Sequence, residues 1–212
     1  IDLRVFDSIS RSIANRVHEL DLILTTIGGE NVAPGNMPPS YKAVPNEDPK
    51  RGDTSWNVCP EKFGALDYLL NLRKRSLDAY ADINIDGFVY WPYDEGGCAC
   101  EQCRPWGGNG YVRLMEKMSK INKNKYPESL QLVSTWAFNN DDWELFYKYL
   151  KTQDWIDYLI VDSHEDFPNY PLEHAVPNNI PIITFPEISM WGRYPWGGFG
   201  AIVLPERFER LF

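Results

Sequence analysis

Six short apolar segments, each followed by a helix or a loop, constrain the fold of this chain more than any other feature of its sequence. They are continuous and rich in β-branched residues, as buried strands are. No turn of the Asn-Gly kind joins one segment to the next as in a hairpin, so a parallel sheet is favoured. The predicted strands are residues 20–27, 87–91, 130–138, 155–161, 180–185 and 200–204.

Apolar side chains at spacings of three and four residues predict helices between these strands. The stretch from Gly28 to about Asn57 is instead dense in Gly, Pro, Asn and Asp and is predicted as one long loop. Structureless connections of this length inside a compact domain usually serve function. The predicted helices are residues 1–19, a helix that opens at Cys59-Pro60-Glu61 and ends at Asp82, then 111–121, 141–151 and a helical start at 205–212.

Carboxylates, amides or tryptophans follow nearly every predicted strand. Loops at the carboxyl ends of many strands build the active site of a (β/α)8 TIM barrel. A doubly wound nucleotide-binding sheet would carry a Gly-rich phosphate motif, and neither GxGxxG nor GxxxxGK[ST] occurs. We therefore expect an α/β TIM barrel. A complete barrel needs eight strands, so residues 1–212 would form a single, partial barrel domain with about two β units missing upstream.

Composition excludes several classes of protein. The chain has 30 acidic and 21 basic residues and a net charge of -9, so a basic surface for nucleic acid is not expected. Its longest apolar stretches fall far short of the roughly 20 residues of a membrane helix. Eight Trp, 12 Tyr and 10 Phe suit either a carbohydrate groove or an aromatic core, and both interpretations stay open.

Two glutamates follow strands that would be the fourth and seventh of such a barrel. Many retaining glycosidase barrels place their two carboxylates at these positions, and the sequence resembles that arrangement. Glycoside hydrolysis needs one carboxyl group to protonate the leaving oxygen and another to act as nucleophile or base. Glu95 is the candidate acid/base and Glu187 the candidate nucleophile. Asp94 would orient Glu95 or, in a substrate-assisted variant, hold an N-acetyl group; a helix cap or a solvated loop is the structural alternative.

Further polar and aromatic residues at predicted strand ends are candidates for sugar binding. Charged groups can hydrogen-bond hydroxyls, and indole rings can stack on the apolar face of a pyranose. A metal-dependent hydrolase that uses Asp162, His164 and Glu165 is disfavoured. Catalytic zinc sites often use three histidines, and the chain has only His18, His164 and His174 in all. The candidate substrate contacts are Trp136, Asn139, Asp162, His164, Trp191 and Trp196.

The four cysteines suggest a metal site. Cys98, Cys100 and Cys103 lie within six residues, and Cys59 begins the preceding predicted helix. Four thiolates are the ligand set of a structural zinc ion, and a closed shell leaves no open position for catalysis. Disulfides, which export would favour, and free thiols are the alternatives. No cofactor is expected for catalysis itself.

The motif at residues 91–103, Trp-Pro-Tyr-Asp-Glu-Gly-Gly-Cys-Ala-Cys-Glu-Gln-Cys, resembles a bacterial family of glycoside hydrolases long catalogued as a domain of unknown function. Residues 57–60 and the Gly/Trp-rich residues 191–200 are similar to further elements of that family. Some relatives are endo-β-N-acetylglucosaminidases that act on N-glycans. The resemblance implies a barrel, a carbohydrate substrate and an upstream accessory domain in the same protein, and export to the periplasm or cell surface is favoured.

The sequence therefore predicts a glycosidase that cleaves a complex glycan or polysaccharide with two carboxylates, by a retaining route. Two alternatives remain at this stage. One is substrate-assisted hydrolysis of an N-acetylated sugar by Asp94 and Glu95. The other is a carbohydrate-binding module without catalytic activity.

Overall fold

The computed structural model describes residues 3–29, 31–33, 35–45, 56–92, 97–162 and 170–185, and all structural statements below concern these residues. Five strands alternate with helices along the chain. The strands are β1 (Thr25–Gly29), β2 (Gly87–Trp91), β3 (Leu130–Ser134), β4 (Tyr158–Asp162) and β5 (Ile182–Phe185). The helices are α1 (Leu3–Glu19), α2 (Ala65–Ala79), α3 (Val112–Lys125), α4 (Asn140–Leu150) and α5 (Tyr170–Glu173), with a π-helical turn at Trp106–Tyr111 and 3-10 turns at Pro39–Tyr41 and Pro177–Asn179.

The strands form one parallel sheet in the order β1-β2-β3-β4-β5. The predicted parallel α/β architecture is confirmed. The order follows the chain without the reversal that marks the ligand crevice of a doubly wound sheet. Closure of the sheet into a barrel remains a prediction. The sixth predicted strand, at 200–204, lies outside the described residues, as does the last predicted helix, at 205–212.

The second predicted helix starts later than its proline suggested. Cys59 is not its first residue, because the backbone N–H of Cys59 donates to Tyr41 O at 2.8 Å and its C=O accepts from Lys62 at 3.2 Å in a separate turn. The chain then passes through Gly64, whose φ of 77° lies in the left-handed region that favours glycine. Helix α2 begins only after that residue, at Ala65.

Four predicted strands are longer than the observed ones. After α1, Leu20 and Asp21 form a turn in which Asp21 has a φ of 54°, and residues 22–24 are irregular, so β1 starts at Thr25 rather than at 20. Strand β3 stops at Ser134 because a turn follows it, with Phe138 N donating to Thr135 O at 3.1 Å. Strands β4 and β5 begin at residues 158 and 182 rather than 155 and 180. Apolar side chains outside the ladder, such as the buried Ile156, account for the overestimate.

The core lies on the central strands. Phe88, Tyr90 and Val133 are fully buried against α2, α3 and α4, whereas Ile27 of β1 is 65% exposed and Ile183 of β5 is 41% exposed. None of the helices in the described part of the chain is long and apolar enough to cross a membrane.

Candidate functional site

The carboxyl ends of all five described strands lie at one edge of the sheet, because the strands are parallel. Several predicted site residues follow this edge in the sequence but lie outside the described residues. These are Asp94 and Glu95 after β2, His164 after β4, and Glu187, Trp191 and Trp196 after β5. Asp162 is the last residue of β4 and pairs with Phe185 of β5 in the register, although its side chain is not described. The roles of these seven residues stay predictions.

Two tryptophans meet at this edge. The rings of Trp91, which ends β2, and Trp136, just after β3, stack with centroids 5.4 Å apart and planes 29° apart. Both side chains are half-buried. We call Trp91 and Trp136 the indole pair. Stacked indoles at a strand edge offer an amphipathic surface of the kind that packs on sugar rings. Of these two residues, sequence analysis selected only Trp136 as a substrate contact, although Trp91 is the last residue of β2.

Asn139 caps the amino-terminal end of α4. Its side-chain oxygen accepts a hydrogen bond from Asp142 N at 2.9 Å, and Asp142 Oδ2 accepts one from Asn139 N at 3.0 Å. This reciprocal pair is a capping box at the start of α4. The fully buried Asp142 also accepts from Gly108 N at 3.3 Å through Oδ1. Asn139 therefore fixes the entry to α4, and a contact with substrate remains a prediction.

The four cysteines meet in one cluster, the cysteine centre. Their sulfur atoms all lie within 4.8 Å of one another, and Cys59 Sγ is 3.7 Å from Cys100 Sγ and 4.0 Å from Cys103 Sγ. All four are unbridged, and only Cys100 is less than fully buried. In a tetrahedral zinc site with Zn–S bonds of about 2.3 Å, the sulfurs are about 3.8 Å apart. The cluster therefore has both the donor set and the spacing to hold a metal ion.

Proton sharing among the thiols points the same way. Hydrogen bonds from Cys103 and Cys59 lower the pKa of the Cys98 thiol far below its ordinary value. Hydrogen bonds with Cys59 and Cys98, together with burial, raise the pKa of Cys103. Hydrogen bonds among the four thiols thus favour a thiolate within the cluster, with the remaining thiol protons held between neighbouring sulfurs. A cation could displace those protons, because metals bind the thiolate form.

Asn31 joins the two chain segments that carry the cysteines. This side chain is fully buried, and its Nδ2 donates to Val58 O at 3.1 Å and to Gly97 O at 2.7 Å. Gly97 N in turn donates to Asn31 Oδ1 at 2.9 Å. Val58 directly precedes Cys59, and Gly97 directly precedes Cys98. Sequence analysis missed Asn31, since its only signal was a position inside the long predicted loop.

The Gly-rich π-helical turn at Trp106–Tyr111 lies between the cysteine centre and the strand ends. We call it the glycine turn. A Cβ on Gly107 would lie 2.4 Å from the ring of Phe138, and one on Gly108 would lie 2.4 Å from Asp142 O. Such separations exclude any side chain, so the glycines allow the turn to pack directly on the start of α4. π-Helical turns occur often at functional sites.

Comparisons with known proteins do not identify a family. No protein-family model and no curated protein sequence matches the chain. Similar solved structures include a cyclomaltodextrinase, with 13% identity over 76% of this chain and 26% of that one. An α-amylase from Geobacillus thermoleovorans in complex with acarbose has 16% identity over 76% of this chain and 33% of that one. A protein from Thermus thermophilus has 13% identity over 76% of this chain and 33% of that one. Each TM-score is 0.42.

The chain thus spans about a quarter to a third of these proteins. The first two are glycosidases by name, but a likeness of this degree assigns neither activity nor substrate to the present chain.

Proposed function

We propose that the chain is part of a glycoside hydrolase that cleaves a complex glycan or polysaccharide with Glu95 as acid/base and Glu187 as nucleophile. The observation that supports the proposal is the parallel sheet, because each glutamate follows the carboxyl end of one of its strands in the sequence. Glu95 comes four residues after the last residue of β2, and Glu187 two residues after the last residue of β5. The indole pair at the same edge supports a sugar ligand.

The proposed pair also requires a curved sheet. Strands β2 and β5 are separated by β3 and β4, and each step between neighbouring strands spans about 4.8 Å. Along a flat sheet the two strand ends would be about 14 Å apart. Retaining glycosidases need their carboxyl groups about 5–5.5 Å apart. The proposal therefore implies that the sheet curves toward itself, as it does in a TIM barrel.

A second candidate function is sugar binding without turnover. The indole pair favours it, because stacked aromatic side chains need no catalytic carboxylate to hold a carbohydrate. In that case Asp94, Glu95 and Asp162 would only hydrogen-bond the ligand. Measured turnover separates the two functions.

We also propose that the cysteine centre holds a structural zinc ion bound by Cys59, Cys98, Cys100 and Cys103. The support is the sulfur spacing and the burial of the cluster. Four thiolates complete the coordination shell, so the ion would organise the loops and take no part in bond cleavage.

The catalytic assignment is tested on 2,4-dinitrophenyl glycosides, whose leaving group needs no acid. We expect Glu187→Gln to lower kcat by roughly 10³-fold or more, because the nucleophile is lost. Glu95→Gln should retain the first step on this substrate but lose activity on an unactivated glycan, since protonation of a poor leaving group is then required. Azide should restore turnover to Glu95→Gln.

Glu128→Gln is the matched control, because Glu128 lies just before β3 at the opposite edge of the sheet. Its kcat should equal that of the unmodified chain. Wild-type activity in Glu187→Gln contradicts the proposed nucleophile. Sugar binding without turnover in the metal-loaded chain supports the binding module instead.

A further inference from the structure

We propose that the glycine turn couples the cysteine centre to the indole pair, with Tyr111 as the positioning residue. The inference deepens the proposed function and rests on it for the nature of the ligand. It also rests on the metal occupying the cysteine centre. The coupling itself follows from two sets of contacts, one on each side of the turn.

The first set joins the turn to the cysteine loop. Gly110 N donates to Cys103 O at 3.0 Å, and Asn109 Nδ2 donates to Gln102 O at 3.0 Å and to Arg104 O at 3.2 Å. A Cβ on Gly110 would lie 3.0 Å from Cys103 Cβ, so the backbone of the turn lies directly on a proposed metal ligand. A change in the position of Cys103 must therefore move the turn.

The second set joins the turn to the ends of two strands. The fully buried hydroxyl of Tyr111 donates to Tyr90 O at 2.7 Å and is 3.1 Å from Ser134 O. Trp106 Nε1 donates to Pro92 O at 2.6 Å. Tyr90 and Pro92 are the two neighbours of Trp91 in the chain, and Ser134 precedes Trp136 by two residues.

The Tyr111 hydroxyl therefore bonds the backbone just before each tryptophan of the indole pair, on β2 and on β3. This hydroxyl bonds both β2 and β3, close to Trp91 at the end of β2 and to Trp136 just after β3. The β2–β3 ladder ends at the pair of Tyr90 and Val133, so Trp91 and Ser134 lie just beyond it. A buried hydroxyl shared by both strands sets how far apart the two backbones lie, and hence how the rings overlap.

The test compares Tyr111→Phe with Tyr126→Phe. Both changes remove one hydroxyl and keep the ring, but the Tyr126 hydroxyl donates to Tyr80 O at 3.1 Å, after α2 and away from the strand ends. The readout is the exciton couplet that two stacked indoles give in circular dichroism, assigned as the signal that Trp91→Phe abolishes. Bound zinc is measured in each variant. Removal of zinc from the unmodified chain with a chelator, followed by re-addition of zinc, tests whether the cysteine centre affects the indole pair.

We expect the couplet to fall in Tyr111→Phe, with zinc still bound, and to be unchanged in Tyr126→Phe. Chelation should weaken the couplet and zinc should restore it. Tyr111→Phe should also bind a tetrasaccharide from a panel of chitotetraose, cellotetraose and maltotetraose roughly 3-fold to 10-fold more weakly than the unmodified chain.

A couplet that is the same in Tyr111→Phe and in the unmodified chain overturns the inference, as does a couplet that survives complete removal of zinc. A chain that binds no zinc, or shows no couplet, overturns it too. If the couplet responds as expected while no tetrasaccharide binds, the coupling stands and the proposed function fails. The circular dichroism thus tests the coupling, and the binding measurement tests the proposed function separately.

Discussion

The segments that follow β2 and β3 lie side by side at one edge of the sheet, yet they are held in opposite ways. After β3 the turn and the entry to α4 are set by local contacts: Trp136 N donates to Ser134 Oγ at 3.1 Å, and Asn139 and Asp142 form the capping box, although Asp142 also accepts from Gly108 N, 34 residues away. After β2 the contacts come from far along the chain. Gly97 pairs with Asn31 across 66 residues, and Cys103 meets Cys59 across 44.

This difference has a thermodynamic consequence. Local contacts close short loops and cost little chain entropy, whereas contacts across 44 or 66 residues must offset a larger loss. A metal ion bound by four thiolates supplies far more free energy than a single hydrogen bond. The order of the segment after β2 should therefore come largely from the proposed metal, and that of the segment after β3 largely from local contacts. Three changes test this contrast, in order of decreasing effect.

Loss of the metal should have the largest effect. Structural zinc in small domains contributes on the order of 10 kcal/mol, so Cys98→Ser should lower the free energy of unfolding by several kcal/mol. Thermal unfolding of the unmodified chain with and without a chelator measures the same quantity. The chelator should lower the Tm of the unmodified chain but leave that of Cys98→Ser unchanged. Equal sensitivity of both proteins to the chelator would contradict a metal at this site.

Asn31→Ala should have an intermediate effect. It leaves Val58 O, Gly97 O and Gly97 N without their side-chain partner in a buried region, which should cost roughly 2–4 kcal/mol in the free energy of unfolding. Its zinc affinity should also fall, because Val58 and Gly97 adjoin two of the ligands. Asn84→Ala is the control, since the exposed Asn84 side chain donates one hydrogen bond, from Nδ2 to Asp86 Oδ1 at 2.7 Å, away from the cysteine centre. A similar loss in both variants, measured by urea unfolding, would remove the special role of Asn31.

Asn139→Ala should have the smallest effect. Loss of an N-cap side chain costs about 1 kcal/mol, and zinc affinity should change little because the substitution leaves the hydrogen bond from Gly108 N to Asp142 in place. Asn139→Ser, which keeps a capping oxygen, should recover most of the stability. A loss of zinc affinity in Asn139→Ala as large as that in Asn31→Ala would contradict this contrast.

The same contrast explains how much the sequence could predict. The strands are set by short apolar runs, so the parallel sheet and the existence of its elements were predictable. The capping box is set by residues three positions apart, but it was not predicted because Asn139 was assigned to sugar binding. The cysteine cluster was predictable from the number and spacing of its members. Asn31 was not, because no local pattern marks an asparagine whose partners are 27 and 66 residues away.

The indole pair and the glycine turn escaped prediction for a related reason. Trp91 was read as part of a strand, and its contact with Trp136 depends on the parallel register of β2 and β3. Gly107 and Gly108 looked like ordinary loop residues. Their role follows from the close approach of Phe138 and Asp142, which only the folded chain reveals.

X-ray absorption at the zinc edge of the purified, zinc-loaded chain tests the central claim most directly. The account predicts one zinc ion per chain with four sulfur neighbours at about 2.3 Å and no nitrogen or oxygen ligand. A shell that contains nitrogen or oxygen, or a chain that retains no zinc, would contradict the claim that the cysteine centre organises the carboxyl-terminal edge of the sheet.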